Sequence, residues 1–312
     1  MSEPLLRVEH LKKYFKSARG MVHAVDDVSF TLEAGKTLGV VGESGCGKST
    51  LGRTIIRLQE PTSGSVFFDG KDVSGLNRQQ LWEQRRQMQM IFQDPFSSLN
   101  PRMTISQAIE EPLALYHICP DRVSRQKRVA ELMDTVGLAR RPPELDGGRR
   151  QRIGIARALA LNPRFIVCDE PVSALDVSIQ AQILNLMQDL QKELDLTYMF
   201  ITHDLSVVYH ISDEIMVMYL GQVIEKAPTE KLFANPVHPY TQALLSAIPV
   251  PSIHNRRERI LMTGELTSPI DPLPECRFAN RCRFATGKCR ESEPQLREIE
   301  PGHFVSCFLC EA

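Results

Sequence analysis

No apolar run in this sequence is long enough to cross a membrane. Its most apolar stretches, Phe165–Cys168 and Thr197–Thr202, end at Asp169 and His203, whereas a bilayer requires roughly 20 apolar residues. The first residues, MSEPLLRVEHLKK, do not place a basic region before an apolar one, so the sequence also lacks a secretion signal. We therefore expect a cytosolic protein that can attach to a membrane complex.

The sequence also has no excess of charge of either sign. Its 37 basic residues are matched by 38 acidic ones, which gives a net charge of −1 and argues against a nucleic-acid surface. Internal repeats and coiled-coil heptads are absent too. With 312 residues, the chain can form two domains, or one domain with an appendage.

A strand, a glycine-rich loop and a helix are predicted to follow one another near residue 40. Leu38–Val41 is a short apolar run that stops at a glycine, and helical spacing begins at Lys48. This is the context that a phosphate-binding loop requires. The residues of the loop motif, GESGCGKST, are Gly42, Glu43, Ser44, Gly45, Cys46, Gly47, Lys48, Ser49 and Thr50.

The residue types in this loop suit a nucleotide. Its glycines let backbone N–H groups surround phosphate oxygens. Lys48 can contact the β- and γ-phosphates, Ser49 can offer its hydroxyl to Mg²⁺, and the helix that begins at Lys48 adds the positive end of its dipole. The sequence therefore predicts binding of ATP with Mg²⁺.

The remaining elements indicate an α/β protein with an appended tail. The strand-like runs Phe165–Cys168 and Thr197–Thr202 are each followed by a helical pattern, which predicts a parallel sheet. Helical spacing dominates between about residues 94 and 160 and predicts a helical insert. In Gln180–Glu193 it predicts a helix whose buried face is Ile183, Leu184, Leu186, Met187 and Leu190. Beyond Asn235 many prolines indicate a loop-rich tail.

Several further motifs occur in an order and at a spacing that resemble the nucleotide-binding subunits of ABC transporters. After the phosphate loop come Gln93, LDGGR (residues 145–149), FIVCDE (165–170), SALD (173–176) and His203. The resemblance implies an α/β fold: an ABC-type nucleotide-binding domain with a RecA-like parallel core, an antiparallel β subdomain and a helical insert. We expect this ATPase domain to span residues 1–235, with an irregular, cysteine-rich extension over 236–312.

The resemblance also implies roles for residues outside the phosphate loop. Asp169 would reach Mg²⁺ and Glu170 would be the catalytic base, which is consistent with the chemistry of carboxylates beside a dication and a γ-phosphate. Gln93 would sense Mg²⁺ and the γ-phosphate, and His203 would hold the γ-phosphate in register with Glu170. Phe15 would stack on adenine, with Tyr14 as the alternative. Further residues of the site are expected in the D-loop, namely Ser173 and Asp176.

The signature motif departs from the pattern of the family. In ABC subunits, LSGGQ of one subunit contacts the ATP held by the other, whereas here the motif reads Leu145, Asp146, Gly147, Gly148 and Arg149. Asp146 replaces a donor hydroxyl by an acceptor and brings a negative charge towards a γ-phosphate, while Arg149 partly offsets that charge. We therefore predict a heterodimer with a second, non-identical ATPase. An alternative role for Asp146 is to cap the helix that follows, and the two roles are compatible.

Two longer stretches indicate the branch of the family. QDPFSSLNPRMT (residues 93–104) and NPVHPYTQALLSAIPVP (235–251) resemble the ATPases of oligopeptide, dipeptide and nickel importers. The resemblance implies two membrane permeases, an extracytoplasmic peptide-binding protein and a peripheral position at the cytoplasmic face of the membrane. Peptides are preferred to nickel as the substrate because the peptide branch is larger, and no residue decides between them.

Five of the eight cysteines lie beyond residue 275, and in a reducing compartment they are more often free thiols or metal ligands than disulfides. Cys276, Cys282, Cys289 and Cys307 resemble the iron–sulfur tail of some peptide-importer ATPases, and four thiolates suit a [4Fe–4S] cluster. Zinc is an alternative, although structural zinc sites favour closer pairs of cysteines. Free thiols are the third possibility, and Cys310 is either a spare thiol or a substitute ligand.

Two other classes of function compete with a transport ATPase. Soluble ABC ATPases that act on ribosomes or DNA usually fuse two cassettes or carry a long coiled coil, and this sequence has neither. A regulatory subunit that binds ATP without hydrolysing it is disfavoured because Glu170 and His203 are both in place.

Overall fold

The computed structural model describes residues 3–93, 100, 102–138, 147–248, 259–262, 264 and 268–310. The strands within them are β1 (Leu6–Ser17), β2 (Gly20–Leu32), β3 (Thr37–Val41), β4 (Ser63–Phe68), β5 (Lys71–Asp72), β6 (Met88–Ile91), β7 (Phe165–Asp169), β8 (Thr197–Ile201), β9 (Glu214–Tyr219), β10 (Gln222–Pro228), β11 (Arg297–Glu300) and β12 (His303–Val305). The helices are α1 (Lys48–Ile55), α2 (Arg78–Gln84), α3 (Ile105–Leu115), α4 (Arg122–Thr135), α5 (Gly147–Leu159), α6 (Val177–Leu194), α7 (Leu205–Ile211), α8 (Thr229–Ala234), α9 (Pro239–Ser246) and α10 (Lys288–Glu291).

The chain divides into two compact units. The first unit contains residues 1–32, 37–74 and 202–312, and the second contains residues 33–36 and 75–201. The phosphate loop and the C-terminal extension therefore belong to the first unit, and the predicted helical insert belongs to the second.

The first unit contains the predicted antiparallel β subdomain. Its strands lie in the order β2-β1-β4-β5, and Val8 pairs with Phe30 on one side and with Val66 on the other. Leu6, Val8 and Leu11 are all buried. Apolar side chains on one face of the strands therefore form the core of this sheet, as expected for an antiparallel sheet with one covered face.

A second sheet of the first unit has the order β11-β12-β10-β9-β3. Strands β3 and β9 are parallel, whereas β9, β10, β12 and β11 pair antiparallel. The C-terminal extension was expected to be irregular, and this was wrong in part, because β11 and β12 extend the sheet. Their sequences, REIE and HFV, are too short to predict strands, so the pairing of β12 with β10 and of β11 with β12 decides their conformation.

The second unit contains the predicted parallel strands, in the order β8-β7-β6. All five residues of β7 and of β8 are buried, as expected for strands covered on both faces. Asp176 caps α6 by accepting a hydrogen bond from the N–H of Ile179 at 2.9 Å. The predicted apolar face is confirmed for Ile183, Met187 and Leu190, which are buried, whereas Leu184 and Leu186 are only half-buried because they lie at the edges of that face.

Candidate nucleotide site

The backbone conformation of the phosphate loop requires glycine at two positions. Gly42 and Gly47 have φ angles of 152° and 103°, in the region that favours glycine. A Cβ on Gly42 would lie 2.2 Å from the carbonyl oxygen of Met218, and one on Gly47 would lie 1.9 Å from that of Ala24. Close packing against two neighbouring strands therefore requires glycine at both positions.

Lys48 extends its side chain back over this loop. Its Nζ donates to the carbonyl oxygens of Gly42 and Glu43 at 2.8 and 2.9 Å, and only 5% of the residue is exposed. Burial raises the pKa of the neighbouring Cys46 thiol, so this thiol stays neutral. The loop thus combines a buried cation with the N-terminus of α1, an arrangement that suits phosphate groups.

Neighbouring aromatic residues of the β1–β2 hairpin have different surroundings. The Tyr14 ring stacks on His23 with 3.9 Å between the ring centroids, and its hydroxyl donates to Asp26. Phe15 is 37% exposed, with the Lys13 Nζ 4.8 Å from its ring centroid. Tyr14 is therefore engaged within the protein, while the Phe15 ring is accessible to a ligand.

His203 is also part of the first unit. It is exposed and lies between the end of β8 and the start of α7. Asp204 caps α7 by accepting a hydrogen bond from the N–H of Ser206 at 2.8 Å. His203 therefore directly precedes the capping residue of α7 in the chain and is accessible to solvent.

Three predicted residues come together in the second unit, where β6 and β7 end side by side. Ile91 pairs with Cys168, so Gln93, Asp169 and Glu170 follow neighbouring strands. Gln93 Nε2 donates to Glu170 Oε2 at 2.8 Å, and Asp169 is fully buried. An amide and two carboxylates at this edge supply the oxygen atoms that Mg²⁺ prefers, so the residues fit such an ion.

The backbone around Glu170 is held in an uncommon conformation. Its φ angle is 47°, which costs free energy for a residue other than glycine and is found mostly at functional sites. Its N–H donates to the carbonyl of Ile201 at 2.9 Å, and its own carbonyl accepts from Ser173 Oγ at 3.1 Å. The D-loop residue Ser173 therefore helps to fix the orientation of the predicted base.

Three residues of the signature motif lie within the described part of the chain. Gly147 and Gly148 begin α5, and Arg149 is buried within it, while Leu145 and Asp146 lie outside the described residues. A Cβ on Gly147 would lie 2.8 Å from Leu175 Cδ2. This glycine therefore allows close packing at the start of the helix.

Residues of the C-terminal extension that the sequence did not point to contact the phosphate loop. The N–H of Glu43 donates to Tyr240 Oη at 2.9 Å, and the Arg281 guanidinium pairs with the Glu43 carboxylate. Tyr240 and Arg281 follow Glu43 by 197 and 238 residues. No local pattern connects positions so far apart, so only the fold reveals these contacts.

The four cysteines of the predicted cluster share one region of the first unit, but they do not form a compact site for one ion. The N–H of Cys276 donates to the carbonyl of Cys289 at 2.9 Å. Burial, together with the charges of nearby thiols, raises the pKa of Cys276 to about 11 and that of Cys307 to about 12. Within the described part of the chain, no group of three His, Cys, Asp or Glu residues could hold a metal ion. The arrangement of these thiols therefore supports neither the predicted iron–sulfur cluster nor the alternative zinc site.

Two family profiles match this chain. The profile described as "ABC transporter" matches residues 25–173, and the profile described as "Oligopeptide/dipeptide transporter, C-terminal region" matches residues 224–289. The first match includes the phosphate loop, Gln93 and Glu170, and the second covers much of the extension that contacts the loop.

Curated proteins of similar length resemble nearly the whole chain. A putative oligopeptide transport ATP-binding protein of Bacillus subtilis is 53% identical over 98% of this chain and 95% of its own length. A dipeptide transport ATP-binding protein of Haemophilus influenzae is 52% identical over 98% of this chain and 96% of its own length.

Solved structures share the fold over about three quarters of the chain. The cbiO1 subunit of an ABC transporter complex from Clostridium perfringens superposes with a TM-score of 0.67 and 27% identity, over 75% of this chain and 92% of that one. A dimeric ATP-binding cassette with bound ADP and Pi gives a TM-score of 0.64 and 30% identity, over 72% and 98% of the two chains. Among the helices that the structure describes, none has the length and apolar character needed to span a membrane.

Proposed function

Because the chain belongs to the ATP-binding proteins of the oligopeptide and dipeptide ABC transporters, we propose that its ATP hydrolysis powers the import of such peptides. The observation that carries the proposal is the phosphate loop with Lys48 at the start of α1. The match of the C-terminal profile and the similarity to oligopeptide and dipeptide transport proteins favour peptides over nickel.

ATP is held by groups of the first unit in this proposal. N–H groups of the loop and Lys48 bind the phosphates, and Ser49 contributes its hydroxyl to the Mg²⁺ site. Phe15 stacks on the adenine, which the exposure of its ring favours. His203 contacts the γ-phosphate from the N-terminus of α7.

Residues of the second unit perform the chemistry. Asp169 and Gln93 supply oxygen atoms to Mg²⁺, which stabilises negative charge on the phosphates when it is bound. Glu170 accepts a proton from the attacking water. The hydrogen bond from Gln93 occupies one carboxylate oxygen of Glu170, so loss of this hydrogen bond would free that oxygen to accept the proton of the water.

The active transporter contains a second, non-identical ATPase. This part of the proposal rests on the sequence LDGGR, because a carboxylate at position 146 disfavours the γ-phosphate that it faces across a dimer. In the heterodimer, the ATP held by this chain's phosphate loop meets the partner's signature motif, which makes this site the competent one. The other site, which faces Asp146, hydrolyses ATP poorly.

The chain works at the cytoplasmic face of the membrane, with two permease subunits and a peptide-binding protein on the other side. Its extension carries a [4Fe–4S] cluster on Cys276, Cys282, Cys289 and Cys307. This assignment rests on the number and spacing of the four cysteines in the sequence, because four thiolates suit such a cluster.

The test is hydrolysis by the native complex, isolated from membranes with this chain carrying Glu170→Gln. We expect the peptide-stimulated turnover to fall about 100-fold or more, the scale of a lost general base, while ATP binding is retained. Normal turnover would contradict the assignment of Glu170. Stimulation by nickel instead of peptides would contradict the assigned substrate and leave the ATPase assignment intact.

A further inference from the structure

The segment between Cys276 and Cys282 contacts the phosphate loop directly through Arg281. Its Nη1 lies 2.7 Å from Glu43 Oε2, and its Nη2 lies 2.9 Å from Glu43 Oε1. The side chains are only 9% and 23% exposed. Two parallel, charge-assisted hydrogen bonds in a partly buried place fix the relative orientation of the two groups, unlike a solvated ion pair at the surface.

A cluster of aromatic residues packs next to this ion pair. Tyr240 Oη accepts a hydrogen bond from the N–H of Glu43 at 2.9 Å, so the backbone and the side chain of Glu43 are both bound. The buried rings of Tyr219, Tyr240 and Phe278 lie within 4.8–5.4 Å of one another. Arg281 Nη1 donates to Tyr219 Oη at 3.4 Å, and the Arg281 Cζ lies 5.9 Å from the centroid of the Tyr219 ring, so Tyr219 as well as Glu43 restricts the position of Arg281.

A second arginine of the same segment supports the loop at another point. Arg277 is buried and donates to the carbonyl of Leu220 and to Asp26. Gly221, which follows Leu220 in the chain, donates its N–H to the carbonyl oxygen of Cys46 at 2.9 Å. The extension therefore reaches the loop at Glu43 directly and at Cys46 through the turn between β9 and β10.

The loop needs such support for two physical reasons. Its glycines are free to adopt many backbone conformations, so ordering the loop on binding costs entropy that prior fixation reduces. Glu43 also places a negative charge within a loop that binds phosphates, and a neighbouring cation offsets the repulsion.

We infer that Arg281 is a positioning residue for nucleotide binding, through which the C-terminal extension holds the phosphate loop in the conformation that accepts ATP. The inference depends on the proposed binding of ATP at this loop. It gives the extension a part in the ATPase reaction, although the extension contributes no group to the proposed chemistry.

The experiment measures ATP binding by the full chain with calorimetry and steady-state hydrolysis by the complex. We expect Arg281→Gln to raise the Kd and the KM for ATP about tenfold, the scale of a lost charge-assisted hydrogen bond. The kcat at saturating ATP should stay near that of the wild type, because Arg281 contacts no reacting atom. Arg281→Lys, which keeps the charge but not the paired geometry, should give an intermediate Kd.

Arg290→Gln is the matched control, because Arg290 lies in the same extension and donates at 3.0 Å to Asn280 rather than to the loop. The double variant Glu43→Gln/Arg281→Gln should bind ATP no more weakly than Arg281→Gln alone, because each of the two substitutions removes the same ion pair. Equal affinities of Arg281→Gln and Arg290→Gln would overturn the inference. So would a fall in kcat with an unchanged KM. A wild-type chain that binds no ATP would instead contradict the proposed function.

Discussion

Single residues of the β1–β2 hairpin show how tertiary contacts separate two similar candidates. Tyr14 and Phe15 are adjacent aromatic residues, and consecutive side chains of a strand point to opposite faces. Tyr14 is engaged by His23 and Asp26, whereas 37% of Phe15 is exposed beside Lys13. The structure therefore favours Phe15 as the residue that stacks on adenine.

At this scale we predict that Phe15→Ala weakens ATP binding about tenfold, because stacking of a base on an aromatic ring contributes roughly 1–3 kcal/mol. The measurement is the Kd for ATP of the full chain, obtained by calorimetry. GTP binding should suffer to a similar extent, since stacking does not distinguish the two purines.

Met21→Ala is the matched control for Phe15→Ala. Met21 is a 36% exposed apolar residue of the same hairpin, where it pairs with Lys16, and it has no proposed role in the site. If the two variants bound ATP equally well, Phe15 would have no part in the adenine site.

Helix α5 begins within the signature motif. It begins at Gly147, and its side chains Gln151, Arg152 and Ile153 are buried. Its N-terminus is consequently held firmly by the second unit. In the proposed heterodimer, the negative charge of Asp146, which directly precedes Gly147 in the sequence, competes with the phosphate of the partner's ATP, because a helix N-terminus favours an anion.

We predict that Asp146→Ser raises hydrolysis at the partner's site about tenfold or more, because it restores a donor for the developing charge. The measurement uses the heterodimer with Glu170→Gln in this chain, so that the remaining turnover comes from the site that faces Asp146. Asp146→Asn separates the two effects, since it removes the charge without adding a hydroxyl. An unchanged turnover in both variants, or a homodimer with the full rate of the intact complex, would contradict the heterodimer proposal.

On the scale of the whole molecule, the C-terminal extension is part of the first unit rather than a detached tail. Its strand β12 pairs with β10, and Glu225 of β10 accepts hydrogen bonds from the N–H groups of Val237 and His238 and contacts His303. Cys276 and Cys282 pack against the same hydrophobic core. A change in the cysteines would therefore reach the core of this unit.

For the extension we predict about four iron and four sulfide ions per chain, with visible absorbance, when the full chain is purified without oxygen. Cys282→Ser should lose the iron and the absorbance, whereas Cys310→Ser, the matched control, should keep both. Zinc in place of iron would favour the alternative metal. A chain with neither metal would contradict both assignments and leave free thiols.

By itself, the sequence determined the motifs whose chemistry is local. The phosphate loop, the buried strands β3, β7 and β8, and the helix α6 could all be predicted because hydrophobic periodicity and turn residues act over short distances. The sequence also predicted Gln93 and Glu170 as separate site residues, but the hydrogen bond between them was not predicted and follows from the pairing of β6 with β7.

Only the tertiary structure decided which distant residues complete the loop. Arg281, Tyr240 and Arg277 reach the phosphate loop or its supporting turn from the far end of the chain. Strand β12 forms on the edge of β10, and β11 forms on the edge of β12. The pairing of distant groups depends on how the core packs, and packing is a property of the folded chain that no local pattern contains.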